Sequence, residues 1–304
     1  MPLFVDLRLP AAKQLASDGH PIFSAESSPS DCINIGIINL MPIKPDTEYD
    51  FLQLIVDDTR PIKPIFIETA THKSKHTSAD HLNLFYTTFD KINPENLNGI
   101  IITGAPLEGV KFEDVNYWQE ITQIFKTIRT QKIPSLFICW AAFAAMYYWH
   151  GIGWEILDRK ISGVFPHRIV STQSPLLKGI KSGFTIPHSR FATWNMAELH
   201  NNELFRIAAE GDEQGAYLIE SLENDEFYIS GHGEYSVMTL DNEYQRDTAR
   251  GMNPHIPDNY YPDNNPTNTP TDSWHKTALQ MMKNWIDLTE QNRNKKWLNI
   301  SKAK

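Results

Sequence analysis

The chain has 304 residues, 41% of them hydrophobic and 21% charged, enough to bury a large core in one large domain or two small ones. A net charge of −9 argues against a nucleic-acid binder, since no surplus of Lys and Arg exists to neutralise phosphates. The longest apolar run, Leu136 to Trp149, is shorter than the roughly 20 residues a bilayer span needs, the N-terminus lacks a signal-peptide pattern, and Cys32 and Cys139 alone make no disulfide framework, so a cytoplasmic protein without membrane partners is expected.

Residues 1–30 read as a peripheral N-terminal extension in which Pro10–Ala16 forms a short helix. Cys32 to Met41 reads as the first buried strand, with Cys32 packing at its start. Asp46 to Ile55 follows as a helix whose Phe51, Leu52 and Ile55 share one face. Pro64–Thr69 is a second strand, Thr71–His76 a polar loop, and Asp80 to Phe89 a helix. Leu97 to Gly104 is a third buried strand, ending in the turn Gly104–Glu108 where ligands bind in open α/β sheets. Tyr117 to Thr130 is an amphipathic helix, and Leu136–Ile138 a fourth strand, apolar on both faces. This alternation predicts a parallel sheet with crossover helices.

The second half is less regular. Lys160–Phe165, Gly183–Pro187, Gly215–Ile219 and Glu226–Ser230 read as strands, and Leu240 to Arg250 as a helix. Asn253 to Asp272, with five Pro and five Asn, should lack regular structure. A last amphipathic helix covers Trp274 to Leu288, before a polar tail over 291–304 that should fray. No repeat or linker divides the chain, so residues 31–290 are taken as a single α/β domain.

Cys139 stands where the fourth strand turns into a run of helix formers, Ala141 to Met146. A strand-to-helix turn lifts its side chain above the sheet, and the helix N-terminus favours the thiolate; this is the geometry of a nucleophile elbow. The competing reading is a small residue buried in a core strand. A thiol nucleophile needs a base, and the base an orienting partner. His232 and Glu234 are two apart at a strand end, so in an extended segment both side chains point the same way. His72 and His76 have Lys73 and Lys75 as neighbours, poor company for a cation, and no metal is expected. There is no Gly-rich phosphate loop.

A thiol elbow followed by His-x-Glu resembles class I glutamine amidotransferase-like folds. More closely, the chain is similar to the homoserine O-acyltransferase (homoserine transsuccinylase) family. The matching stretches are Asn39–Lys44, Thr71–Lys75, Ile102–Pro106, Ile138–Trp140, Lys160–Val164, Pro187–Arg190, Gly231–Tyr235 and Asn259–Pro266. The resemblance implies a flavodoxin-like α/β domain in a homodimer, with Cys139 carrying the acyl group as a thioester, His232 as proton acceptor and Glu234 as its partner. It places Lys160, Ser189 and Arg246 on substrate-binding positions, and an Arg suits an α-carboxylate. It makes Glu108 the position that separates donors, glutamate going with acetyl and glycine with succinyl. Repulsion between a fixed anion and a succinyl carboxylate agrees with that.

The expected activity is therefore acetyl transfer from acetyl-coenzyme A, a substrate and not a bound cofactor, to the hydroxyl of L-homoserine. The chain departs from the family at Ala141 and Phe143, where glycine and glutamine are usual, at Asp50 for glutamine and at Gly233 for proline. Were these to line the acceptor pocket, L-serine, one methylene shorter, would be the alternative acceptor. A succinyl donor, an amidotransferase-like hydrolase and a non-enzymatic binding module are the remaining alternatives.

Overall fold

Runs of Ile, Leu and Phe with no polar face need a sheet covered on both sides. The computed structural model, which describes residues 2–56, 60–72 and 74–302, contains one. The first half holds β1 (Leu3–Val5), α1 (Pro10–Ser17), β2 (Ile22–Ser24), β3 (Ile33–Ile38), α2 (Lys44–Ile55), β4 (Ile62–Glu68), α3 (Ala79–Phe85), β5 (Tyr86–Thr88), β6 (Gly99–Ile102), α4 (Trp118–Thr130), β7 (Ser135–Ile138) and α5 (Trp140–His150). The second half holds β8 (Trp154–Ile169), β9 (Phe184–Trp194), α6 (Met196–His200), β10 (Phe205–Gly211), β11 (Gly215–Ser221), β12 (Glu226–Ile229), α7 (Thr239–Ala249) and α8 (His275–Lys302).

The strands lie in the order β2-β1-β4-β3-β6-β7-β12-β11-β10-β8-β9, with β5 also on β4. From β2 to β12 the pairs are parallel; from β12 onward they are antiparallel. The fold is thus a mostly parallel α/β sheet with flanking helices, extended by an antiparallel wing. One apolar layer joins α1, α2 and α8 to the sheet through Leu15, Leu52 and Trp285. The other joins α4 and α5 through Phe125, Phe137 and Met146. Among the described residues no helix is long and apolar enough to cross a membrane.

Several expectations give way. Residues 1–30 are not peripheral: Leu3 pairs with Ile62 of β4, and Leu3, Leu9 and Leu15 are buried. Three-residue strands carry too little pattern to be seen in sequence. The helix expected over Asp80–Phe89 stops at Phe85, because Tyr86–Thr88 pair with Phe66–Glu68 of β4. β10 went unpredicted, and the strand at Lys160–Phe165 belongs to a 16-residue strand paired with β9. The expected fraying tail continues α8 to Lys302, while residues 303 and 304 lie outside the described residues. The Pro- and Asn-rich segment does lack regular structure apart from a short 3-10 turn and an isolated bridge, Asp258 to Gly163. Gly163 is required there, since a Cβ would sit 2.2 Å from the Asp258 carbonyl oxygen.

Candidate active site

Three neighbouring parallel strands, β6, β7 and β12, end together. Their register pairs Ile102 with Phe137 and Ile138 with Ile229, so the residues that follow emerge at one sheet edge. Cys139 comes directly after β7 with φ 50° and ψ −115°, left-handed backbone that a non-glycine residue adopts at a cost of about 1–3 kcal/mol. Its N–H donates to the Ile229 carbonyl at 2.7 Å, and its own carbonyl accepts from Ala142 and Phe143, opening α5. The sharp turn is the elbow expected from the sequence.

His232 follows β12, where its N–H donates to the Pro187 carbonyl at 2.8 Å. Its Nδ1 is 2.7 Å from Glu234 Oε1, and its ring stacks on Tyr235 at 4.3 Å. With Nδ1 taken, Nε2 is left for the Cys139 thiol on the neighbouring strand end. A Cβ placed on Gly104, at the end of β6, would lie 3.3 Å from Cys139 Cβ and 3.6 Å from His232 Cε1. Burial opposes charge on His232, yet the Glu234 carboxylate and then the Cys139 sulfur outweigh it and hold the imidazole well above its usual range. One detail differs from expectation. β12 ends at Ile229, and His232 and Glu234 meet through a turn closed by Tyr235 N–H on the His232 carbonyl at 3.3 Å, not through an extended segment.

Glu243, on α7, gathers the next layer. Its Oε2 accepts from Lys160 Nζ at 3.1 Å and from Ser189 Oγ, and its Oε1 from Tyr235 at 3.0 Å. Ser189 reaches it because β9 alternates: His188 and Arg190 are buried on the opposite face, Arg190 donating to the Gln214 carbonyl at 2.6 Å. Burial raises the Glu243 carboxyl, but Lys160 and Ser189 overcome this and hold it below its usual range. Glu108, half-buried in the turn after β6, is raised by burial, while its own backbone N–H, Lys160 and His232 act in the other direction. Glu108, Lys160 and His232 therefore share one electrostatic neighbourhood.

Arg246 stands one turn beyond Glu243, bonded to Asp247 at 2.8 Å. It lines an open groove of about 1700 Å³ with Asp46, Asp50, Glu234, Tyr235 and Glu243. Glu243 and Tyr235 escaped the sequence reading; the i, i+3 spacing of Glu243 and Arg246 on one helix face is the signal that could have found Glu243. Of the departures from the family pattern, only Asp50 lines this groove. Ala141 is buried, and Phe143 packs on Trp194 with ring centres 4.1 Å apart, so both belong to the core. A Cβ on Gly233 would come within 3.0 Å of Ala278 Cβ, on the side facing α8. Lys73 lies outside the described residues.

The model of the homoserine O-succinyltransferase family matches residues 2–294. The chain is 37% identical over 290 residues to a homoserine O-acetyltransferase of Lachnospira eligens, covering 94% of each chain. It is 38% identical over 290 residues to a homoserine O-succinyltransferase of Shewanella baltica, covering 94% of this chain and 93% of that one. Among solved structures it is similar to a glutamine amidotransferase from Thermotoga maritima, with TM-score 0.54 and 11% identity over 86% of this chain and 97% of that one. A glutamine amidotransferase from Methylobacillus flagellatus matches with TM-score 0.54 and 8% identity, over 85% and 95%. At such identities the structural likeness concerns the fold.

Proposed function

Since the chain belongs to the homoserine O-succinyltransferase family and is an acyltransferase, we propose that it carries acetyl from acetyl-coenzyme A to the hydroxyl of L-homoserine through a thioester on Cys139. The observation that carries this reading is the convergence of Cys139, after β7, with His232 and Glu234, after β12, at two adjacent strand ends. His232 takes the thiol proton, and the Cys139 sulfur attacks the donor carbonyl. The Trp140 and Ala141 N–H groups, which open α5, have no acceptor inside the helix and can hold the developing oxyanion. Coenzyme A departs as its thiol, receiving the proton from His232. The acceptor hydroxyl then gives its proton to His232 as its oxygen attacks the thioester, and Cys139 is released to bond with His232 again. Glu234 keeps the Nδ1 proton in place throughout. Arg246, in the groove beside Glu243, suits the acceptor carboxylate.

Acetyl as donor is supported by Glu108, whose anion faces the same neighbourhood as Lys160 and His232 and opposes a second carboxylate. Succinyl is the second reading, favoured by the name of the Shewanella baltica relative. Serine as acceptor keeps only Asp50 in its favour, because Ala141 and Phe143 face the core and Gly233 faces α8. Mass measurement of the protein after acetyl-coenzyme A alone, then with homoserine or serine, tests the whole scheme. The expected result is an acetyl adduct absent from Cys139→Ser and discharged fastest by homoserine. No adduct, or discharge by serine in preference, would overturn it.

A further inference from the structure

A second groove, of about 1030 Å³, lies on the other side of the loop that follows β3; Met41 and Pro42 line both. Its wall is the turn after β6. Gly104 of that turn abuts Cys139, and Ala105, Pro106 and Leu107 continue from it into the groove. A donor lying along this turn arrives at the thiol.

The two grooves differ in charge. The groove of Arg246 carries Asp46, Asp50, Glu234 and Glu243 against that one cation. The second groove carries Lys44, Lys75, His72 and His76 against Asp114 alone. Lys44 is held at the floor, its Nζ donating to the Asn39 carbonyl at 2.5 Å. Lys75 and His76 stand exposed at the rim. Asn116 Nδ2 donates to His72 Nδ1 at 2.8 Å, which leaves the His72 ring proton on Nε2, available to an acceptor.

The loop bearing these groups is anchored at both ends. Ala70 and Thr71 N–H donate to Glu120 at 2.8 and 2.9 Å. Thr77 Oγ1 accepts from Lys44 N–H at 3.3 Å and donates to the Pro42 carbonyl at 3.2 Å. The stretch that carries His72, Lys75 and His76 is thus held beside the groove at both ends, with Lys75 and His76 exposed on the rim.

We propose that this second groove, with His72, Lys75 and His76 on its rim, binds the phosphate-bearing arm of the coenzyme A donor, leaving the acidic groove to the zwitterionic acceptor. The assignment rests on the acyl-transfer reading above. Polyphosphate is drawn to Lys75 and Lys44 and to the imidazole N–H donors beside them, whereas the groove of Arg246 is lined by carboxylates, so charge favours this sorting of the two substrates.

The test compares acetyl-coenzyme A with acetyl-S-pantetheine, which has the same thioester and no phosphate, on the full chain and on Lys75→Glu and His76→Glu. Both positions are exposed, so folding is not at stake. The ratio of the KM for acetyl-coenzyme A to that for acetyl-S-pantetheine is expected to rise about tenfold in each variant, the loss of one charge-assisted contact plus like-charge repulsion. An unchanged ratio in both variants, whether the two donors move together or not at all, overturns the assignment. Failure of the wild-type chain to form acetyl-Cys139 from either donor is a different result: it sinks the acyl-transfer reading itself, and this assignment with it.

Discussion

Glu108 is a half-buried carboxylate whose neighbours, Lys160 and His232, only partly offset burial. A second carboxylate about 5 Å away would meet repulsion of roughly 3 kcal/mol at an effective dielectric near 20. Glu108→Gly should therefore raise kcat/KM for succinyl-coenzyme A by about a hundredfold while leaving acetyl transfer within a few-fold; steady-state rates with both donors check this, and an unaltered donor ratio refutes it. Asp50 makes a second residue-level case. Burial, opposed by the Ser236 hydroxyl and helped by Glu234 and Asp46, pushes its carboxyl up to about 7 from an ordinary 3.8. Between pH 4 and 7 the folded chain keeps a proton that the unfolded chain has lost, so stability falls as pH rises through that window. Asp50→Asn removes this loss. Its stability advantage over the wild type should be small at pH 4 to 5 and grow to its full size, at most a few kcal/mol, by pH 8. A pH-independent difference in thermal melts would contradict the assignment of that proton.

At the scale of the element, α5 has two tasks that its sequence keeps apart. Its N-terminus presents the thiol, while its body, from Trp140 to Met146, is buried on all sides. Phe143 sits between Trp154 and Trp194, with ring centres 5.8 and 4.1 Å away. Phe143→Ala should cost about 3–5 kcal/mol in urea unfolding yet leave the homoserine-to-serine rate ratio as it is. A shifted ratio would mean that this ring reaches the acceptor after all. The run of helix formers located α5 but could not tell which of its positions meet ligand, because a helix buried all round has no polar stripe to orient it.

For the whole molecule, the parallel half supplies the nucleophile and its base, and the antiparallel wing carries Lys160 on β8 and Ser189 on β9 across to Glu243. The first 30 residues close the far edge of the same sheet. Burying Leu3, Leu9 and Leu15 contributes roughly 5 kcal/mol or more, a large part of a typical native stability of about 5–15 kcal/mol. A chain starting at residue 31 should thus be insoluble or melt at least about 10 °C lower by calorimetry. A truncated chain melting with the full one would return those residues to a peripheral role.

The strands Ile33–Ile38, Gly99–Ile102 and Ser135–Ile138, the elbow at Cys139 and the pairing of His232 with Glu234 were legible in the sequence, since apolar runs, glycines and close spacing act locally. The short strands β1, β2 and β5, the long β8–β9 hairpin and the central place of Glu243 were not. Each depends on partners far along the chain: Leu3 on Ile62, Tyr86 on Phe66, Ser189 and Lys160 on a carboxylate 54 and 83 residues away. Local pattern says which atoms want to be buried. Only the closed sheet decides which of them meet, because register across strands is chosen by the joint burial of both faces.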